Sequence, residues 1–111
     1  MGLLFVESLP DQELFRCGLC EVVIASADAI MSTNFTGRFG AACLMDRVVN
    51  TTSSQTETKQ MLTGTYDVSD IHCSSCQLLL GWRYDRAFSE DQKFKEGKYV
   101  LELSRVVKHG W

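Results

Sequence analysis

The sequence predicts an antiparallel, mostly β domain, and three observations lead there. Where an apolar pattern is clear its period is two rather than 3.6, the alternation of a strand. The 111 residues are 45% hydrophobic and 23% charged with one proline, the balance of one ordinary globular domain over 1–111, too short to divide. Two Cys-x2-Cys pairs stand far apart, each beside strand-like segments.

In chain order, "ELFRC" and "EVVIAS" flank the first pair, and "ACLMDRVVN" and "KQMLTG" read as two further strands. "GTYDVSDIHC" begins with Tyr66 and Val68 on one face, but Ile71 switches parity, which predicts a bulge. After the second pair, Leu78, Leu80, Trp82 and Tyr84 share one strand face, opposite Leu79, Gly81, Arg83 and Asp85. "KYVLELS" turns Tyr99, Leu101 and Leu103 inward and Val100, Glu102 and Ser104 outward. "TTSSQTETK" is a polar loop and "DRAFSEDQKFKEG" a long charged connection; Gly64 and Gly97 mark turns.

Composition excludes several function classes. The formal net charge of −3 gives no broad nucleic-acid footprint, and the one basic cluster, "QKFKEGK", reads as a solvated turn. No apolar run reaches the length of a membrane span. "MGLLFVESLP" lacks a basic n-region and a cleavage site, and Val6 breaks the myristoylation pattern. The sequons at Asn34 and Asn50 are therefore read as unused, and the chain as intracellular.

The five cysteines carry the strongest signal. An odd count in a reducing compartment argues against a disulfide framework. "CGLC" and "CSSC" form two knuckles, whose tight turns point paired sulfurs at one metal. Cys17, Cys20, Cys73 and Cys76 thus make the closed tetrahedral thiolate set of a structural Zn2+. The 52 residues between Cys20 and Cys73 imply that each knuckle sits on its own sheet element. Closing that loop costs roughly 4 kcal/mol, against about 10–16 kcal/mol for structural zinc. The rival reading, a thioredoxin-type dithiol, needs a βαβ context, and no helical period follows either pair. Four thiolates (−4) and one Zn2+ (+2) move the formal charge from −3 to −5; Arg16 and Arg83 lie near enough in sequence to offset it locally. Cys43, in "AACLM", reads as a small buried hydrophobe, and His72 as a plain strand histidine.

The run "GTYDVSDIHCSSCQLLLGWRYDRAFSEDQKFKEGKYVLEL" closely resembles the signature region of the Yippee-like proteins, as does "TNFTGRFGAACLMDRVVN". The resemblance spans about Phe15 to Trp111 and includes the long spacer between cysteine pairs. It implies a β-tent: two antiparallel sheets pinned at one end by a four-cysteine zinc, with Cys17, Cys20, Cys73 and Cys76 as ligands. It also implies a nuclear or cytoplasmic protein of the cell-division setting, for which self-association is open, because related centromere proteins dimerise through this fold.

Three function classes follow. A non-catalytic protein-interaction module with an unidentified protein partner needs only the closed metal site and an exposed surface, and no catalytic set is visible. A small-ligand or peptide pocket of the type found in cereblon would use Trp82 and Tyr84, with Leu62 and Val68 at the positions of the other cage residues. An enzyme like the B-type methionine sulfoxide reductases would need a cysteine beyond the second knuckle, and none follows Cys76. The ladder itself predicts that Leu78 and Leu80 are core while Trp82 and Tyr84 border an apolar groove joined by Val68 and Leu62; the equal alternative is that Trp82 is a plain core aromatic.

Overall fold

Each cysteine pair closes a β-hairpin, and the rest of the chain brings the two hairpins together. The computed structural model describes residues 6–111; the reading of the first five residues lies outside them. The strands are β1 (Leu14–Cys17), β2 (Val23–Ser26), β3 (Ile30–Gly37), β4 (Gly40–Met45), β5 (Thr51–Ser53), β6 (Glu57–Met61), β7 (Gly64–Cys73), β8 (Leu79–Ala87), β9 (Tyr99–Glu102) and β10 (Val106–His109). Three short 3₁₀ turns connect them: η1 (Ala27–Ala29), η2 (Glu90–Lys95) and η3 (Leu103–Arg105).

The strands form two antiparallel sheets. The smaller has the order β10-β1-β2 and the larger β3-β4-β9-β8-β7-β5, with β6 also paired to β7. The first knuckle therefore belongs to the smaller sheet and the second to the larger, as the long spacer predicts. Among the described residues, no helix is long and apolar enough to cross a membrane.

Two apolar clusters explain the burial pattern. One lies between the sheets beside the cysteines, joining Phe15 and Ile24 of the smaller sheet to Cys43, Ile71, Leu80 and Leu101 of the larger. The other covers the opposite face of the larger sheet, from Leu44, Tyr66 and Val68 to Trp82, Tyr84 and Val100. The central strands are thus buried on both faces, and this corrects two readings based on one inner face. In β9, Val100 and Glu102 are as buried as Leu101. In β7, Tyr66 and Val68 join one cluster and Ile71 and Cys73 the other, so the parity switch needs no extra residue in that strand. The register shifts of this ladder fall on β8 instead, where Asp85 and Leu80 have no partner on β7. The unpaired Leu80 enters the inter-sheet cluster while Trp82 and Tyr84 enter the other.

Three strands escaped the sequence reading for a common reason. Strand β3 is an edge with no buried residue and two irregularities, β5 is three residues inside the polar "TTSSQTETK", and β10 buries only Val106. None leaves an apolar alternation to read.

Candidate metal centre and adjoining cleft

The two knuckles are built alike. In the first, the Cys17 N–H donates to the Val22 carbonyl at 2.8 Å and the Glu21 N–H donates to the Cys17 carbonyl at 2.9 Å. In the second, the Cys73 N–H donates to Leu78 at 2.9 Å and the Gln77 N–H to Cys73 at 2.8 Å. The residue after each pair, Glu21 or Gln77, takes φ of 67°, the left-handed conformation that turns the chain from the second cysteine into the returning strand. The Leu19 N–H donates to the Cys17 sulfur at 3.5 Å, the kind of N–H···S contact a knuckle provides to a thiolate.

The four sulfurs meet crosswise. Cys17 Sγ lies 3.6 Å from Cys76 Sγ, Cys20 Sγ lies 3.5 Å from Cys73 Sγ, and all four fall within 4.8 Å of one another. A disulfide needs about 2.05 Å, whereas four thiolates around zinc at about 2.3 Å form a tetrahedron with edges of about 3.8 Å. The cluster therefore fits one four-coordinate zinc with every position filled by protein. Cys17 and Cys73 are buried in the inter-sheet cluster while Cys20 faces solvent. Burial pushes the Cys73 thiol up to about 12. At Cys20 burial also pushes upward, but the Val22 N–H and the neighbouring thiols outweigh it and bring the group down to about 7. Such a set cannot hold four negative charges without a cation, so zinc binding displaces protons and strengthens as pH rises.

Asn50, which the sequence offers only as an unused sequon, clasps the knuckles together. Its carbonyl accepts from the Ser74 N–H of the second knuckle at 2.9 Å. Its buried side-chain amide donates to the Val23 carbonyl of β2 at 2.7 Å, so the nitrogen a glycan would need is already engaged. The Arg16 guanidinium donates to the Glu21 carbonyl at 3.0 Å, next to the centre. Arg83 is instead engaged by Asp85 at 2.7 Å. His72 sits in β7 opposite Thr52 and Leu79 and is not part of the sulfur cluster.

Cys43 is buried in β4 opposite Leu101, apart from the four sulfurs, and burial raises its thiol above the ordinary range. Cys43→Ala is expected to keep one zinc per chain by elemental analysis and to cost about 1–2 kcal/mol in urea unfolding as a small cavity. Loss of metal in that variant would contradict the ligand assignment.

On the far face of the larger sheet, a cleft of about 1130 Å3 opens between β3, the β6–β7 turn and η2, with Trp82 and Tyr84 on its wall. Trp82 is 9% exposed and Tyr84 3%, their rings meeting edge to face at 6.2 Å. Burial pushes the Tyr84 hydroxyl upward, opposed by the adjacent Trp82 indole, yet among the described residues the indole Nε1 has no partner at hydrogen-bond geometry. Leu62 stands fully exposed on the lip. Val68 is buried beneath the cleft, opposite Tyr84 in the ladder, rather than on its wall. Leu80 is fully buried and Leu78 half-buried against the inter-sheet cluster.

Two cleft residues had no signal in the sequence. Phe35 reaches the cluster from the exposed strand β3. Lys95 belongs to "QKFKEGK", but η2 turns its side chain inward, where it is 4% exposed, and this corrects the reading of that cluster as wholly solvated. The β3–β4 turn at the rim is held by the buried Glu102 carboxylate, which accepts from the Phe39 N–H at 2.8 Å and the Arg38 N–H at 3.2 Å. Gly37 leaves room for that carboxylate, for a Cβ there would lie 2.4 Å from it.

Fold and centre together define a class: a two-sheet β domain pinned by paired cysteine knuckles around one structural zinc. The family model described as "Yippee zinc-binding/DNA-binding /Mis18, centromere assembly" matches residues 13–109, and the chain belongs to this Yippee/Mis18 family. It is similar to a yippee-like protein of Oryza sativa subsp. japonica, 48% identical over 116 residues, covering 97% of this chain and 98% of the relative. It is 42% identical over 98 residues to protein yippee-like 3 of Homo sapiens, covering 87% and 82% respectively. The crystal structure of the Mis18 "Yippee-like" domain superposes with a TM-score of 0.68 at 14% identity, over 87% of this chain and 94% of that one, a likeness of fold.

Proposed function

We infer that the chain is a non-catalytic, zinc-stabilised interaction module that recognises a protein partner through the cleft beside Trp82 and Tyr84. The observation carrying this reading is the cleft itself, about 1130 Å3 walled by aromatic rings at the far side of a metal-anchored strand. A strand fixed at one end presents its aromatics at little entropic cost, and Trp and Tyr are the types richest in binding energy. A closed four-thiolate centre offers zinc no open position for activating water. The remaining cysteine, Cys43, lies in the opposite cluster from the cleft aromatics, so nothing there supports sulfoxide-reductase chemistry.

The nuclear or cell-division setting rests on relatives: the matching family is described by centromere assembly, and Mis18 shares the fold. The same description names DNA binding, against which stands the formal charge of −3. A ligand pocket of the cereblon kind is the second reading, favoured by the paired Trp82 and Tyr84 rings. The exposed Leu62 and the buried Val68 leave that cage incomplete.

The test is affinity capture with mass spectrometry, comparing the native protein with Trp82→Ala and the lip variant Leu62→Asp. Proteins held by the native chain and lost from both variants, at unchanged zinc content, are the expected result. Capture of the same proteins by all three would sink the reading.

A further inference from the structure

The cleft belongs to an acidic protein, yet among the described residues none of those lining it is acidic. The nearby carboxylates have other engagements. Asp70 is paired with Arg38 of the rim at 3.0 Å, and Glu102 is taken up by the backbone of the β3–β4 turn. What the wall offers instead is donors.

Lys95 is the chief one. Its Nζ donates to the Tyr66 hydroxyl at 3.0 Å and to the Thr63 hydroxyl at 3.2 Å. It sits among four rings, with centroids at 5.1 Å for Tyr66, 5.4 Å for Phe35 and Tyr84, and 5.8 Å for Phe94. Among the described residues, no carboxylate comes within ion-pairing distance of it. A lysine this buried ordinarily has an anionic partner. Here two hydroxyls and aromatic faces hold the ammonium, which occupies the aromatic box that would otherwise suit a ligand's cation. The second donor is the Trp82 indole N–H, buried behind the same wall beside the Tyr84 hydroxyl but, among the described residues, with no acceptor at hydrogen-bond geometry.

We propose that the cleft takes a polypeptide segment presenting a carboxylate beside an apolar side chain, with the carboxylate directed to Lys95 and the apolar group against Phe35, Trp82 and Tyr84. The proposal rests on the reading of the cleft as a partner site and adds the partner's charge. The cleft's volume exceeds the room one small organic acid needs, which favours a stretch of chain. Positive wall and negative ligand also give the discrimination that bare apolar contact lacks.

The two tryptophans make the test direct. Trp111 donates its Nε1 to the Leu14 carbonyl at 3.0 Å, away from the cleft, and its indole N–H resonance serves as an internal control for that of Trp82. Three peptides, acetyl-Ala-Phe-Xaa-Ala-amide with Xaa as Glu, Gln or Lys, are titrated into zinc-loaded 15N-labelled protein. The Glu peptide should move the Trp82 indole peak and leave that of Trp111 in place, binding about tenfold more tightly than the Lys peptide, a ratio one partly buried charge contact supports. Lys95→Met, close in length and apolar, should erase the preference for Glu over Gln; Lys95→Arg should keep it.

Equal shifts from the Glu and Lys peptides, or a preference surviving in Lys95→Met, would overturn the charge assignment and leave the cleft as a partner site. Silence of the Trp82 peak to all three, with capture still dependent on Trp82, would do the same. Silence together with capture indifferent to Trp82 and Leu62 would overturn the cleft reading and this proposal alike.

Discussion

Cys73→Ser is expected to abolish stoichiometric zinc and with it the cooperative unfolding transition. Cys73 ends β7, is fully buried, and contacts both the sulfur cluster and the apolar layer between the sheets. Structural zinc contributes about 10–16 kcal/mol in small finger peptides, as much as the whole stability of an ordinary domain, about 5–15 kcal/mol. Three sulfurs cannot close a tetrahedron, and the serine hydroxyl would stand among apolar side chains. The smaller sheet has only three short strands and leans on the larger one through this layer, so its packing should fail first. Elemental analysis of the native protein should give one zinc per chain, and near-UV circular dichroism of the variant should lose its fine structure. A variant that keeps both zinc and that spectrum would refute the assignment of the centre as the fold's staple.

Gly81→Ala should cost about 3 kcal/mol or more in urea unfolding, through steric conflict. Gly81 lies in β8 between Ile71 of β7 and Leu101 of β9. A Cβ built there would fall 1.8 Å from the Val100 carbonyl oxygen and 3.4 Å from the Leu101 Cα. The obstacle is backbone on a central strand, so no side-chain rotation relieves it and β8 and β9 must separate. Gly97 supplies the contrast: a Cβ there meets nothing within 4 Å, and only its φ of 76° opposes substitution. Gly97→Ala should therefore cost only about 1–2 kcal/mol. If Gly81→Ala were no worse than Gly97→Ala, the close crossing at β8 would not be a feature of the folded protein.

The metal centre is fully legible in the residue spacings alone. A Cys-x2-Cys pair is a local device: its turn geometry is set by a handful of backbone bonds, and the two pairs adopt one shared pattern. Seven strands were legible for a similar reason, since their apolar residues alternate or cluster. The cleft was legible in part. Trp82 and Tyr84 stood out as large aromatics at the end of a ladder, and Leu62 does sit on the lip. Which residues face them was not legible, because Phe35 and Lys95 come from segments whose patterns are those of exposed chain.

The sequence by itself thus determined the strand character of seven segments, the four ligands and the placing of one knuckle on each sheet, because each follows from contacts between near neighbours or from one metal's demand for four sulfurs. Only the tertiary structure decided which faces are inside. Central strands packed on both sides carry Leu101 toward the metal layer and Val100 toward the aromatics, with the buried Glu102 carboxylate tying the β3–β4 turn to β9. Only the folded chain turns Lys95 inward and brings Asn50 between the knuckles. Those outcomes depend on partners 24 to 64 residues distant, and burial on both faces erases the alternation that would have announced them.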